Sequence, residues 1–359
     1  MQPPNLTQQM PAAAHHAPLQ PMRIAVLHGG PSSEHDISVW SSRGVISTLR
    51  AAEHAVVAAY VDAEGQWHIH ETAEAGTRVD APVDVFAAVK QLIALQIQVC
   101  FMGFHGTYGE DGKIQAVLEL AGLAYTGSRV AASAVAMDKP LARRVFVGCD
   151  LRIAQGEEVH AAAVATPDLA TVVGRRLIAE WGLPVVVKVP AGGSSVGVEI
   201  ANNLSALADA LLRLAAIDGT VLCEQYIGGT ELTAAVIEQR DGSLLSLPIV
   251  EITPAHGKFF DYQAKYAAGG SEEIVPARIS DAATALAQDY GRRAHNGLHC
   301  NGYSRTDLIL RTDGHLFVLE TNTLPGLTPA SLLPKAAAAA GFSYLALIER
   351  MIVSALRSR

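Results

Sequence analysis

The sequence predicts an α/β protein of two or three domains, and three observations carry that expectation. With 359 residues, 50% hydrophobic content and 17% charged residues, the chain can bury large cores and exceeds the size of one domain. Short apolar strands run twice into polar glycine loops and then into helical spacing, as RIAVLH–GGPSSEHD at 23–36 and VCFMGF–HGTYGEDG at 99–112. Later strands instead pair through loops, as PVVVKVPAGGSSVGVEI at 184–200 and LILRTDGHLFVL at 308–319.

Composition narrows the function classes. A net charge of −8 and a pI near 5.9 argue against a nucleic-acid footprint, while leaving room for a local basic groove for phosphates. Cys100, Cys149, Cys223 and Cys300 have no paired spacing, which fits reduced thiols in a cytoplasmic protein better than a disulfide frame or a zinc site. No apolar run reaches membrane-spanning length, and residues 1–21 lack a basic start and an apolar stretch, so they read as a disordered extension.

In chain order, strand 23–28 leads through Gly29-Gly30 to Glu34 and a helix; ligands sit beyond such strand ends and helix N-termini favour anions, although Glu34 could equally cap or face solvent. AVVAAYVD, QWHIH and VCFMGF follow as strands, and His105 opens the second glycine loop, where a satisfied turn histidine is the plain alternative. Helix IQAVLELAGL completes one alternating domain over residues 23 to about 130, with its loops on a common edge. Lys139 then begins a helical stretch. Lys188 lies on the strand below Gly192-Gly193-Ser194-Ser195, whose amides could close over phosphates; the lysine precedes the glycines and a strand follows, so this is no Walker loop. A flexible hairpin is the competing reading. Helix LSALADALLRLAAI precedes strand VLCEQYI, which carries Glu224 ahead of Glu231; acids at strand ends can receive an adenine amino group or ribose hydroxyls, or simply form ion pairs. Residues 256–277 mix aromatics, Lys265 and glycines without periodicity, as a functional loop or lid does. A helical segment, 332–356, closes the chain.

The segment 304–331 carries the sharpest signal. Asp313-Gly314 between apolar runs predicts a two-residue hairpin, with Thr312 facing His315 and paired positions summing to 627. Asp307 then opposes Glu320 and Arg305 opposes Asn322. Ile309 and Val318 share one face; Leu308, Leu310, Phe317 and Leu319 share the other. Opposed carboxylates destabilise a sheet unless a cation joins them, and two carboxylates with an amide oxygen suit Mg²⁺ or Mn²⁺ rather than zinc. A solvated hairpin end paired to Arg305 is the alternative, and ETNTLPG argues against it by keeping polar residues where an apolar strand should stop.

The motifs HGGPSSEHDIS, HGTYGEDGKIQ, YTGS, MDK, VVVKVPAGGSSVG, EQYIGGTE, FFDYQAKY, RTD and ETNTLPGLTPAS, in this order over residues 23 to about 355, resemble the D-alanine–D-alanine ligases of the ATP-grasp superfamily. The resemblance implies an ATP-grasp fold with ATP between two antiparallel sheets, divided as 22–130, 131–222 and 223–359 after the 1–21 extension. It implies formation of D-alanyl-D-alanine for peptidoglycan from two D-alanines, with ATP and two Mg²⁺ or Mn²⁺ ions, by a cytoplasmic homodimer. A ligase making D-alanyl-D-lactate or D-alanyl-D-serine is the neighbouring alternative. By motif, Lys139, Lys188, Ser194 and Ser195 resemble phosphate-binding residues, Glu224 and the Ile227 backbone adenine contacts, Glu231 the ribose ligand and Lys265 the γ-phosphate lysine. Asp307, Glu320 and Asn322 coincide with the metal ligands. Glu34 and His105 resemble the residues that hold the first D-alanine, Ser331 and Leu332 those at the second one's carboxylate, and Arg305 and the Gly326 amide the oxyanion stabilisers. Ser194, Tyr266 and Glu34 resemble a network that closes the site. Lys-Val-Pro in place of Lys-Pro, and Ala191-Gly192 in place of bulkier residues, imply a looser phosphate loop.

Overall fold

The computed structural model describes residues 18–193, 197–254 and 271–357. Its N-terminal sheet has the order β3-β2-β1-β4, from β1 (Arg23–Gly29), β2 (Ala55–Val61), β3 (Trp67–His70) and β4 (Val99–Met102). β1 runs parallel to β2 and β4, and α1 (His35–Ala51) follows β1 through its glycine turn, as the sequence pattern requires. β1 is almost wholly buried, because both sheet faces are covered.

The second sheet is antiparallel, order β5-β8-β6-β7: β5 (Gly156–His160), β6 (Val185–Lys188), β7 (Val198–Ala201) and β8 (Thr220–Gln225). Lys188 pairs with Val198, so the glycine loop joins two adjacent strands. The break expected after residue 222 falls inside β8. The third sheet is also antiparallel and is built from β9 (Thr230–Glu238), β10 (Leu244–Ser246), β11 (Val250–Pro254), β12 (Ser271–Ile274), β13 (Tyr303–Leu310) and β14 (Leu316–Asn322). The helices Val130–Met137 and Lys139–Gly148, expected with the central unit, lie against this third sheet. Ala142 and Phe146 of the second helix pack with Leu232, Leu308 and Val318. Their apolar faces are large enough to need a sheet, and the central sheet is already covered by Pro167–Trp181 and Leu204–Asp218.

The hairpin β13–β14 departs from the two-residue turn. Arg311 faces His315, and the loop is Thr312-Asp313-Gly314, with Gly314 at φ +83° and its N–H donating to the Arg311 carbonyl. Three-residue loops of this kind end in a left-handed residue, which glycine supplies without strain. The pairs near the tip are Leu310–Leu316, Ile309–Phe317 and Leu308–Val318, and a bulge between Asp307 and Leu308 restores Asp307–Glu320 and Arg305–Asn322. Ile309 therefore shares a face with Phe317, and Leu308 with Val318, which corrects the predicted faces.

The closing segment is two helices, Leu332–Ala339 and Tyr344–Arg357, bent by 105° around Gly341. Leu347, Ile348, Met351 and Ile352 enter the same core as β1 and β4. Among the described residues no single helix is long and apolar enough to cross a membrane.

Candidate active site

The hairpin places Asp307 and Glu320 side by side on neighbouring strands, with Arg305 two residues away on the same face. Arg305 grips Asp307 through Nε–Oδ1 at 2.7 Å and Nη2–Oδ2 at 2.8 Å, which gives that carboxylate a bidentate counter-ion. Asn322 lies opposite Arg305, and its Oδ1 accepts from the Leu324 N–H at 2.8 Å, turning the chain out of the strand. Among the described residues no three His, Cys, Asp or Glu side chains gather for a metal. A cation here would draw on two carboxylates and one amide oxygen, a hard donor set.

Across the cleft, Lys188 Nζ lies 2.5 Å from Glu224 Oε2, and Arg143 contacts the other oxygen while donating to the Ala154 carbonyl at 2.8 Å. All three side chains are nearly buried. Lys139 donates from Nζ to the Gly192 carbonyl at 2.7 Å and from its backbone N–H to the Pro190 carbonyl. Lys139 thus touches the glycine loop itself, and Lys188 ends the strand that leads into it. Between the sheets Ala154 and Ile227 pack with Ile309, Phe317 and Leu319 in an apolar cluster, and Glu231 is paired with Ile309 at its edge. Ser194, Ser195, Lys265 and Tyr266 lie outside the described residues.

The third part of the site is buried and polar. Glu34, at the N-terminal end of α1, is 5% exposed, and the backbones of Gly106 and Gly193 both press on its carboxylate: a Cβ at Gly106 would sit 2.6 Å from Glu34 Oε2, and one at Gly193 3.2 Å from its Cδ. Glycine at these two positions is what admits the contact. His105 is equally buried. Its Nε2 is 2.8 Å from Ser41 Oγ, and its Nδ1 is 3.1 Å from the Leu324 carbonyl and 3.7 Å from Glu110 Oε1. Burial alone would lower the His105 pKa, but Glu110 and Glu34 outweigh it and hold it above 6.5. Burial likewise pushes Glu110 up to about 7, against the pull of His105. Ser331 stands at the N-cap position of the helix Leu332–Ala339, with its Oγ turned to Thr328 Oγ1 at 2.8 Å rather than to a helix N–H; a Cβ at Gly326 would sit 2.9 Å from that Oγ. Leu332 is buried as the first helical residue.

The expected residues within the described segments therefore fall into three neighbouring groups, bridged by Gly193 on Glu34, His105 on Leu324 and Leu324 on Asn322. Three contributors escaped the sequence reading. Arg143 is one arginine of a pair on an amphipathic helix, and Thr328 lies between Leu327 and Pro329 in a loop with no motif of its own. Glu110 had a weak signal: it follows His105 by five residues in a tight glycine loop, close enough to fold back on it.

Residues 23–128 match the family model described as D-ala D-ala ligase N-terminus, and residues 149–353 match D-ala D-ala ligase C-terminus. The chain is 40% identical over 336 residues to a D-alanine–D-alanine ligase of Syntrophobacter fumaroxidans, covering 93% of this chain and 98% of that protein. It is 38% identical to one of Halalkalibacterium halodurans, with 94% and 100% covered. Among solved structures, the D-alanine–D-alanine ligase of Bacillus anthracis superposes with a TM-score of 0.74 at 31% identity, covering 94% of this chain and 98% of that one.

Proposed function

This chain belongs to the D-alanine–D-alanine ligase family, and on that premise we propose that its cleft joins two D-alanines, at the expense of ATP, through an acyl phosphate. The observation that supports this most is the seating of Gly193 on the Glu34 carboxylate, with His105 bonded to Leu324. It brings an acid suited to a substrate ammonium, a loop suited to phosphates and the segment after the carboxylate hairpin to one point.

A carboxylate is a poor acyl donor until it is phosphorylated, and in-line phosphoryl transfer asks mainly for positioning and charge. Lys139 and Lys188 would hold the phosphates at the glycine loop, with Glu224 and the Ile227 backbone at the adenine and Glu231 at the ribose. Asp307, Glu320 and Asn322 would hold Mg²⁺ or Mn²⁺, which supplies charge neutralisation at the phosphates. Glu34 would hold the ammonium of the first D-alanine. The N-terminus of Leu332–Ala339, with Ser331, suits the carboxylate of the second. The Arg305 guanidinium, held in place by Asp307, would stabilise an oxyanion together with the Gly326 amide. Such a donor typically contributes about 3 kcal/mol.

The test is ADP release across D- and L-amino acids and D-hydroxy acids, with products identified. D-alanyl-D-alanine from D-alanine alone is the expected product. ADP release without an amino acid, or ester as the main product when D-alanine and D-lactate compete at neutral pH, would overturn the reading.

A further inference from the structure

The helix Lys139–Gly148 turns two cations toward the cleft. Lys139 and Arg143 are four residues apart and so share a face of the helix. Lys139 reaches the Gly192 carbonyl, while Arg143 crosses to Glu224 on β8 and donates from Nη2 to the Ala154 carbonyl at 2.8 Å. Ala154 itself packs with Ile227, Ile309 and Phe317. The next residue, Arg144, is 66% exposed and pairs with Glu158 at the surface. Gly156, opposite Glu224 on β5, admits the Arg143 fork: a Cβ there would stand 3.0 Å from both Arg143 Nη2 and Glu224 Cγ.

Glu224 therefore answers two cations, Arg143 at one oxygen and Lys188 at the other, and the two are not equivalent. The Lys188 ammonium is a point charge on a flexible stem and can turn to a phosphate; the Arg143 fork is shared between a carboxylate and a backbone carbonyl, which fixes its plane. When Lys188 turns away, a nearly buried carboxylate would face the nucleotide's own negative charge without a partner, a costly state unless a second cation stays. We propose that Arg143 is a positioning residue for the nucleotide base: it holds Glu224 in place while Lys188 serves the phosphates, so that Oε2 is offered to a donor on the base and the site prefers a 6-amino purine to a 6-oxo purine. A 6-amino group donates an N–H to that oxygen, whereas a 6-oxo group sets two acceptors against each other. This rests on the functional reading above, in which Glu224 faces the base.

Calorimetric titration of the full chain with ADP and with inosine diphosphate, each with Mg²⁺, reads the preference directly. Wild type should bind ADP more tightly than inosine diphosphate. Arg143→Met should weaken ADP about tenfold, the usual loss for a hydrogen bond to a charged group, and leave inosine diphosphate nearly unchanged, so that the preference collapses. Arg143→Lys, which keeps the charge, should restore most of the preference, and Arg144→Met on the exposed neighbour should match wild type. In steady state Arg143→Met should raise KM for ATP about tenfold with kcat near wild type. A wild-type preference in Arg143→Met, or an equal loss for both nucleotides, overturns the proposal; if that variant does not fold, Arg143→Gln, which can still donate to the Ala154 carbonyl, carries the same expectation. A wild type that binds ADP no better than inosine diphosphate would instead overturn the placing of Glu224 at the base, and the proposal with it.

Discussion

Gly106→Ala tests whether the position of Glu34 limits the reaction. Gly106 sits at φ +74°, and its new Cβ would meet Glu34 Oε2 at 2.6 Å, whereas real Cβ contacts essentially never fall below 3.0 Å. The carboxylate must therefore retreat by about half an ångström, and Ser32, which accepts from the Glu34 N–H at 3.1 Å and donates to the His105 carbonyl at 3.0 Å, is crowded as well. A misplacement of 1 Å can cost about 100-fold, so a shift of this size should cost on the order of tenfold, or ~1.4 kcal/mol, in kcat/KM for the first amino acid. The positive φ adds ~1–2 kcal/mol of backbone strain, which must be separated from the steric effect. Gly314→Ala provides that control: φ is +83°, nothing lies within 4 Å of the new methyl, and the hairpin tip is far from Glu34 along the chain. Thermal unfolding and ADP-release kinetics on both variants decide the matter. Both should lose similar stability, and only Gly106→Ala should lose kcat/KM. Equal kinetics in the two variants would refute the argument that the Gly106–Glu34 contact sets the position of the acid.

Three further outcomes follow from the same geometry. Glu320→Gln removes one of two opposed carboxylates at constant size, and should reduce turnover ~100-fold or more without loss of fold; near wild-type ADP release with an unchanged CD spectrum would reject the cation site. Lys188→Met should weaken ATP binding about tenfold by calorimetric titration, while Glu224 keeps Arg143 as partner; unchanged affinity would reduce the glycine loop to a plain hairpin. His28 is fully buried, with Nδ1 on the Val26 carbonyl and Nε2 accepting from the Gly76 N–H, and burial lowers its pKa to about 4. The unfolded chain binds a proton below about pH 6.5 that the folded chain refuses, so stability is present above that value and falls by about 2 kcal/mol between pH 7 and 5. Denaturant titrations of wild type and His28→Gln check this: the variant's stability should depend less steeply on pH, and parallel slopes would assign the acid sensitivity elsewhere.

The hairpin shows how far pattern reasoning reaches. Its carboxylate end pairs as the sequence arithmetic has it, but through two departures that cancel. The loop holds one residue more than Asp-Gly patterning suggests, and a bulge on β14 takes up the difference before Glu320. Alternation along a strand is legible because side chains alternate rigidly; a bulge is not, because it is decided by what packs on each face. Leu319 joins Ile309 and Phe317 in one apolar cluster, and Leu308 and Val318 face the helices instead. The strand–glycine–helix units and the placing of Lys188, Asp307 and Glu320 on strands were legible for the same local reason. Glu110 and Arg143 were not, since their roles come from partners that the fold alone supplies: His105 turned back on its own loop, and Glu224 on a strand 81 residues away.

The helix Tyr344–Arg357 carries a consequence for synthesis. Its apolar face lies against α1 and β4, and Leu347, Ile348, Met351 and Ile352 share a core with Ile24, Val26 and Phe101. A ribosome that has just released β4 must add about 240 more residues before Tyr344 appears. At ~5–20 residues per second this takes tens of seconds. Throughout that interval the first sheet waits with one flank bare, and such a nascent domain is a natural client for a holding chaperone. Cutting the chain before Tyr344 should make that waiting state permanent, so the truncated protein is expected to aggregate although every residue named in the cleft is still present.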